Sequence, residues 1–389
     1  MFHYTCLNPI ADVGLNKMTD LYQKTDDIKE ADAVLVRSAS MHDMELPDSL
    51  CAVARAGAGV NNIPLDTCAQ KGIVVFNTPG ANANGVKELV LAGMLLASRD
   101  LKGGMDWVLE NKDDPAIGKT MEKAKKKFAG KEIQGKKLGV IGLGAIGVLV
   151  ANAAAHLGME VYGCDPYLSV ENALKMSRSI TLVKSQEELF TSCDFITLHV
   201  PLLDSTRHLI CRETLNKMKK GSILLNFART ELVDDDALEE ALQSGQLSRY
   251  VTDFPDCRIA GLPHVIAFPH LGASTEESED NCAVMAVQEL MDYLENGNIV
   301  NSVNYPSCSL GKAEKPTRIC IAHKNVPGMI SQFTSLIGEY QLNICDMISK
   351  SRNDYSYAMF DLDHTLPDGF TEKLLNMDGI LKVRIIESN

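Results

Sequence analysis

Residues 137–165 read KLGVIGLGAIGVLVANAAAHLGMEVYGCD. The apolar run 138–141 predicts a buried strand, and it ends in the glycines Gly142, Gly144 and Gly147. The segment from Gly147 onward has apolar residues at helical spacing as far as Leu157, which predicts a helix. A second strand is predicted over 160–163, with Asp165 after its end. The pattern is strand, glycine turn, helix, strand and acid.

Each of these residues has a physical role in binding a dinucleotide. Gly142 permits a tight turn, Gly144 lets the backbone approach a pyrophosphate, and Gly147 lets helix and strand pack closely. The helix N-terminus offers unpaired N–H groups to that pyrophosphate. Asp165 lies 18 residues after Gly147, near where a carboxylate meets the ribose hydroxyls, and it would repel a 2′-phosphate. The motif therefore predicts NAD binding, and favours NAD over NADP.

Composition limits the function further. The chain has 389 residues, enough for two or three domains, and a net charge of −13. That charge disfavours general binding to nucleic acid or to anionic membranes. The eleven cysteines form no CxxC pair, which fits free thiols better than a disulfide framework or a metal site. We find no signal peptide, and the apolar stretch 89–97 is too short to span a bilayer, so we expect a cytoplasmic protein.

The rest of the chain predicts an α/β protein. Apolar runs at 33–36, 51–54 and 73–76 alternate with polar helical stretches, the pattern of a second parallel sheet. Arg37 and Arg55 each follow or end one of these strands, and such arginines are either ligand contacts or solvated. The tail predicts the element order βαββαβ, which is ferredoxin-like.

Three chemically complementary groups follow successive strands after the glycine motif. They are Arg229, an acid at Asp253 or Asp256, and His270. A guanidinium binds a carboxylate bidentately, and an imidazole oriented by a carboxylate accepts a hydroxyl proton. Together with a nicotinamide cofactor, these groups suit the oxidation of a 2-hydroxy acid. Singly, each is more often a structural residue.

These residues resemble the D-isomer-specific 2-hydroxyacid dehydrogenases over essentially the whole chain. The resemblance rests on six segments, VRSA 36–39, GAGVNN 57–62, NTPGAN 77–82, GLGAIG 142–147, NFAR 226–229 and PHLGAST 269–275. It implies two Rossmann-like or flavodoxin-like doubly wound parallel-sheet domains, with the active site in the cleft between them. We expect the substrate-binding domain in 1–92 and again in 272–302, the NAD-binding domain in 93–271, a linker in 303–315 and a C-terminal domain in 316–389.

The same resemblance assigns roles to individual residues. It makes Arg229 the carboxylate ligand and His270 the acid/base group. The cofactor contacts that it implies are Gly142, Gly144, Ala145, Ile146, Gly147, Asp165, His199, Pro201, Ala228, Asp253 and Gly272. The substrate contacts that it implies are Arg37, Ser38, Arg55, Gly57, Asn82 and Arg229. Because the two arginines of the first domain fall where family members hold a phosphate, it implies oxidation of D-3-phosphoglycerate to 3-phosphohydroxypyruvate, the first step of serine synthesis.

Two positions depart from the family pattern. The family usually has glycine after its arginine, where this chain has Thr230. The family also has a glutamate about five residues after the aspartate at 253, where this chain has Arg258. A short deletion in the loop would let Asp256 serve as the acid beside His270, and we assign it that role.

The tail resembles an ACT domain, a module that binds amino acids between paired copies. His323, Asn325 and Asn343 match the polar positions that hold L-serine in regulated members. The alternative is an ACT domain kept for assembly alone. We expect a homodimer or homotetramer. Two other functions stay open, reduction of glyoxylate or hydroxypyruvate, and a non-enzymatic NAD-sensing binding protein of the corepressor type.

Overall fold

The computed structural model describes residues 1–387, which fall into two compact units. The first unit combines residues 1–82 with the chain from Glu279 onward, and the second holds residues 83–278. The boundaries therefore lie at 82 and 278, where the sequence suggested 92 and 271. The first boundary moves because the helix Ala83–Ser98 belongs to the second unit. Its Val90 and Met94 are buried in the core of that unit.

The first unit opens with five parallel strands. These are β1 (Phe2–Cys6), β2 (Tyr22–Lys24), β3 (Ala33–Val36), β4 (Ala52–Arg55) and β5 (Val74–Asn77), with helices α1 (Asp12–Leu15) and α2 (Leu65–Gln70) between them. The sheet order is β2-β1-β3-β4-β5, which is flavodoxin-like as predicted. Strand β3 is apolar and buried at every position, whereas β2 is short and mostly exposed. That contrast explains why β2 leaves little signal in the sequence.

The second unit is built on seven parallel strands. Its helices are α3 (Ala83–Ser98), α4 (Leu101–Glu110), α5 (Ile117–Ala124), α6 (Ala145–His156), α7 (Val170–Lys175), α8 (Gln186–Ser192), α9 (Arg212–Lys217) and α10 (Asp235–Gln243). Its strands are β6 (Lys137–Ile141), β7 (Glu160–Cys164), β8 (Thr181–Leu182), β9 (Phe195–Leu198), β10 (Ser222–Asn226), β11 (Leu247–Thr252) and β12 (Val265–Ala267).

The order of this sheet is β12-β11-β10-β9-β6-β7-β8. The chain runs outward from β6 to β8, returns to β9 beside β6, and then runs outward the other way. This is the doubly wound Rossmann arrangement, and it confirms the predicted fold. Ligands bind such sheets outside the carboxyl ends of the strands, at the β6/β9 reversal.

A small antiparallel sheet completes the first unit. Helix α11 (Glu276–Asn296) precedes β13 (Thr317–Lys324), α12 (Met329–Glu339), β14 (Ile344–Arg352), β15 (Tyr355–Leu362), α13 (Phe370–Leu375) and β16 (Ile380–Glu387). The sheet order is β14-β15-β13-β16, so the predicted βαββαβ, ferredoxin-like motif is confirmed.

This C-terminal sheet shares a core with the N-terminal sheet of the same unit. Tyr357 and Met359 of β15 are buried in one cluster with Phe76 of β5 and Tyr293 of α11. Arg384 of β16 donates hydrogen bonds to the carbonyl oxygens of Tyr293 (2.8 Å) and Leu294 (2.6 Å). The C-terminal domain that the sequence sets apart is therefore packed as part of a larger unit.

Candidate active site

The glycine loop between β6 and α6 has the geometry that a pyrophosphate requires. Gly142 has φ +91°, and its N–H donates to the carbonyl oxygen of Cys164 at 2.9 Å. A Cβ on Gly147 would stand 1.9 Å from the carbonyl oxygen of Gly142, whereas a Cβ on Gly144 would meet nothing within 4 Å. No side chain of residues 1–387 caps the N-terminus of α6. Open space at Gly144 and unpaired N–H groups of Ala145 and Ile146 fit a bound diphosphate.

Asp165 lies next to this loop. Its Oδ2 accepts a hydrogen bond from the N–H of Leu143 at 2.8 Å, and its Oδ1 accepts one from the N–H of Tyr167 at 2.8 Å. The carboxylate is thus fixed against the glycine loop, and each oxygen keeps a lone pair for a ribose hydroxyl.

His199 and Pro201 follow β9, on the other side of the loop. The His199 carbonyl oxygen would lie 2.5 Å from a Cβ on Gly142, which shows how closely the two chain segments approach. Its ring nitrogen Nε2 is 2.9 Å from Oγ1 of Thr197. Burial lowers the pKa of His199 to about 3, so this ring stays neutral near pH 7.

Arg229 follows β10, and hydrogen bonds to backbone carbonyl oxygens hold both its main chain and its guanidinium. The buried amide of Asn226 donates to the Arg229 carbonyl oxygen at 2.8 Å and to the Tyr250 hydroxyl at 3.1 Å. Nη1 of Arg229 donates to the carbonyl oxygen of Ala228 at 2.6 Å. The motif 226–229 therefore forms one hydrogen-bonded turn, which places the guanidinium beyond the end of the strand.

Asp253 follows β11 and is 2% exposed. Its Oδ2 accepts the N–H of Gly272 at 3.2 Å, while Oδ1 has no hydrogen-bond partner within residues 1–387. Burial raises the pKa of this carboxyl, although the Gly272 N–H and the charges of His270 and Arg229 act in the opposite direction. A buried acceptor without a partner fits a carboxamide N–H donor, such as that of nicotinamide.

His270 follows β12, and its backbone is hydrogen-bonded to that of Asp253. Its N–H donates to the Asp253 carbonyl oxygen at 3.0 Å, and its φ is +49°, a conformation that few non-glycine residues adopt. Its ring is exposed at the end of the sheet and contacts the ring of Phe254, with the centroids 4.4 Å apart.

The structure places Asp256 away from the role given to it above. Asp256 is exposed, and its Oδ1 accepts the N–H of Ile259, the first residue of the short 3-10 helix Ile259–Gly261, at 2.7 Å. Within residues 1–387 it makes no hydrogen bond or ion pair with His270. Asp253 does lie beside His270, since its carbonyl oxygen accepts the His270 N–H. Phe254 and Pro255 are half-buried, whereas residues 256–258 are exposed to solvent.

Arg37 and Arg55 are connected by a hydrogen bond, and Arg37 also contacts helix α11. Nη2 of Arg37 donates to Oε1 of Glu279 at 2.5 Å, and Nε of Arg55 donates to the Arg37 carbonyl oxygen at 3.1 Å. The Arg55 guanidinium lies across Gly57, where a Cβ would meet Nη1 at 2.3 Å. Asn82 lies in the turn that precedes α3.

Sequence reasoning missed Asn8, which shapes the turn after β3. Its Oδ1 accepts three N–H groups, those of Arg37 (3.0 Å), Ser38 (3.0 Å) and Ala39 (2.9 Å). One asparagine side chain thus fixes the whole segment that carries Arg37 and Ser38. Only the pairing of β1 with β3 brings it there, and no local motif marks it.

The three residues expected to bind L-serine do not lie together within one chain. His323 is at the Lys324 end of β13, and Asn325 donates to the Asn353 carbonyl oxygen at that same end. Asn343 follows α12 at the opposite end, where it exchanges hydrogen bonds with Asp363. With about 3.4 Å per residue along a strand, the two ends are roughly 20 Å apart.

Within residues 1–387, no group of three or more His, Cys, Asp or Glu side chains is arranged to hold a metal ion. No helix in that range is long and apolar enough to cross a membrane.

Comparison with known proteins agrees with this geometry. The model of the D-isomer specific 2-hydroxyacid dehydrogenase NAD binding domain matches residues 91–272. The D-3-phosphoglycerate dehydrogenase of Haemophilus influenzae is 31% identical over 99% of this chain and 95% of its own length. That of Methanocaldococcus jannaschii is 39% identical over 77% of this chain, and the match spans 56% of the archaeal protein.

A solved structure extends the comparison. The NAD+-bound 3-phosphoglycerate dehydrogenase of Entamoeba histolytica aligns with a TM-score of 0.60 at 28% identity, over 78% of this chain and 98% of that one. The chain therefore belongs to the D-isomer specific 2-hydroxyacid dehydrogenase family, and NAD is its cofactor.

Proposed function

We propose that this chain oxidises D-3-phosphoglycerate to 3-phosphohydroxypyruvate with NAD. The observation that carries the proposal is the succession of Arg229, Asp253 and His270 after the neighbouring strands β10, β11 and β12. The relatives named above supply the substrate, since they are D-3-phosphoglycerate dehydrogenases. NAD, held by the glycine loop and Asp165, would supply the hydride acceptor when bound.

Residues of the second unit bind the substrate carboxylate, accept the proton and contact the cofactor in this proposal. Arg229 binds the substrate carboxylate with its guanidinium, and His270 takes the hydroxyl proton as the hydride leaves. We assign the acid beside His270 to Asp253 and leave Asp256 its contact with Ile259, because the His270 N–H is bonded to the Asp253 backbone whereas Asp256 is exposed. Oδ1 of Asp253 accepts a carboxamide N–H of the cofactor. Asp165 accepts the ribose hydroxyls.

Arg37 and Arg55 hold the substrate phosphate in this proposal. Replacing Arg55 with alanine should raise KM for phosphoglycerate strongly and spare hydroxypyruvate. Equal loss on both substrates would argue against a phosphate role and favour the glyoxylate or hydroxypyruvate reductase alternative.

The test of the reaction is NADH formation from D-3-phosphoglycerate between pH 6 and 10, for the native chain and for His270→Ala. Turnover that collapses in the variant supports both the substrate and the base. If only hydroxypyruvate or glyoxylate is turned over, the mechanism stands and the substrate changes. If NAD binds and no 2-hydroxy or 2-keto acid reacts, the NAD-sensing binding protein becomes the better description.

We further propose that L-serine binds the C-terminal sheet of a homo-oligomer. His323 supports this, because its Nδ1 donates to the Lys324 carbonyl oxygen at 2.8 Å, while Nε2 is buried without a partner in residues 1–387. Burial lowers the pKa of this imidazole, so Nε2 is an acceptor suited to an ammonium group. Since Asn343 lies at the other end of the sheet, it would have to come from a second copy. Activity that stays flat in millimolar serine would refute inhibition and leave assembly as the role of the domain.

We also propose that the enzyme is cytoplasmic. The eleven cysteines are all free thiols, and most of them are buried or half-buried, which fits a reducing compartment.

A further inference from the structure

One aromatic ring contacts both proposed catalytic side chains. The Phe254 ring centroid is 4.4 Å from that of His270, with the rings tilted by 44°. Cζ of Arg229 lies 5.5 Å from the same Phe254 centroid. The ring of Phe254 is therefore shared by the guanidinium and the imidazole.

The backbone of Phe254 is fixed on both sides. Its N–H donates to Oγ1 of Thr252 at 3.0 Å, and its carbonyl oxygen accepts Oγ1 of Thr230 at 3.1 Å. Thr252 ends β11, and Thr230 comes directly after Arg229. The threonine that replaces the usual glycine after the arginine thus ties the Arg229 turn to the loop that carries the ring.

An aromatic face can orient both neighbours. A guanidinium over a ring within about 6 Å is attracted by the ring quadrupole, and two rings with centroids between about 4.5 and 7 Å pack favourably. His270 needs such a neighbour, because its side chain makes no hydrogen bond to a carboxylate within residues 1–387. Phe254 therefore supplies contact where a hydrogen-bonded acid would otherwise hold the imidazole.

We propose that Phe254 is a positioning residue that fixes the Arg229 guanidinium and the His270 imidazole relative to each other. The inference rests on the roles proposed for Arg229 and His270, but not on the identity of the substrate beyond its 2-hydroxy or 2-keto carboxylate. Every such substrate needs a carboxylate ligand and a proton acceptor at a fixed separation, since misplacement of one catalytic group slows the reaction severely.

The test compares Phe254→Leu, which removes the ring, with Phe254→Tyr, which keeps it. We expect Phe254→Leu to lower kcat about tenfold and to raise KM for the carboxylate substrate a few-fold, in line with lost positioning. NAD affinity should stay within about twofold, because the loop glycines are untouched. Phe254→Tyr should retain at least half of the native kcat. Phe128→Leu, a half-buried phenylalanine beside Gly104, is the matched control and should behave as the native enzyme.

The Thr230 anchor gives a second, milder variant in case Phe254→Leu folds poorly. Thr230→Val keeps the volume and removes the hydroxyl, so it should shift kcat and KM in the same direction by a smaller factor. Native kinetics in both Phe254→Leu and Thr230→Val would overturn the proposal. Equal losses in Phe254→Tyr and Phe254→Leu would also overturn it, because the ring would then not be the active feature.

A binding measurement separates this inference from the proposed function. The kinetics are run on whichever of D-3-phosphoglycerate, hydroxypyruvate or glyoxylate the native chain turns over. In parallel, oxalate is titrated into the NADH complex, with NADH fluorescence as the signal. Oxalate offers Arg229 a carboxylate and undergoes no turnover, so Phe254→Leu should weaken it several-fold even if phosphoglycerate is not the substrate. Unchanged oxalate affinity would contradict the positioning of Arg229.

Discussion

The guanidinium of Arg37 and the carboxylate of Glu279 form an ion pair at 2.5 Å between residues 242 positions apart in sequence. Both side chains are about two-fifths exposed. Exposed pairs of this kind contribute at most about 1 kcal/mol, so a phosphate can compete with Glu279 for the guanidinium. The pair keeps Arg37 oriented, and it also keeps a negative charge next to the proposed phosphate contact.

Replacing Glu279 with glutamine should tighten phosphate binding. The amide oxygen can still accept from Arg37, while the repulsion of the phosphate is removed. We expect KM for D-3-phosphoglycerate to fall about threefold, an effect within the range of exposed charge pairs. KM for hydroxypyruvate should change less. Glu277→Gln on the same helix is the control, since Glu277 makes no ion pair within residues 1–387, and a KM that falls equally there would point to net charge instead.

Alanine at Gly144 should weaken NAD binding, whereas alanine at Gly147 should lower stability. Gly144→Ala places its methyl group in open space, so the fold should keep its Tm while NAD affinity falls about tenfold or more, because the methyl meets the pyrophosphate. Gly147→Ala must displace the Gly142 carbonyl, and should lower the free energy of unfolding by roughly 2 kcal/mol. Thermal unfolding and NADH fluorescence titration distinguish the two. A Gly144→Ala variant that binds NAD normally would contradict the placement of the pyrophosphate.

Glu289 should make the first unit less stable as pH rises. Burial raises its pKa from 4.5 to about 8, although the hydrogen bond from Asn301 at 2.6 Å opposes the shift. Because the folded state holds this proton more tightly than the unfolded chain, the stabilisation is complete below pH 4.5. It is lost progressively up to about pH 8, on the order of 5 kcal/mol in all.

Urea denaturation at pH 5 and pH 9 measures this loss, with Glu289→Gln as the comparison. The glutamine cannot titrate, so the difference in unfolding free energy between the two pH values should shrink by that amount. An unchanged difference would show that Glu289 is ionised in the folded protein throughout this range.

Arg384 should support the junction between the C-terminal sheet and helix α11. Arg384→Met removes two hydrogen bonds to the carbonyl oxygens of Tyr293 and Leu294, and should cost about 2 kcal/mol of unfolding free energy. Arg352→Met is the matched control, because Arg352 donates a single exposed bond to the Ser302 carbonyl oxygen and should lose less than half as much. Equal losses would mean that the junction depends little on Arg384.

The sequence determines the parts of this molecule that depend on local chemistry. The glycine loop with Gly142 and Asp165 could be predicted, because tight turns and helix N-termini are set within a few residues. Asn8, Glu279 and Arg384 could not, since their partners lie far away in sequence and only the tertiary fold brings them together. Asp256 illustrates a different limit. The family spacing could not show that Asp256 is exposed and bonded to the N–H of Ile259.

The shared core of the first unit has a consequence for synthesis. Residues 1–82 are synthesised before the helix and strands that cover their sheet, which follow only after Glu279. The second unit is continuous from 83 to 278, so it is the first part of the chain that can close its core during translation. The N-terminal strands, including apolar β3, therefore complete their core only once the residues after Glu279 have been made.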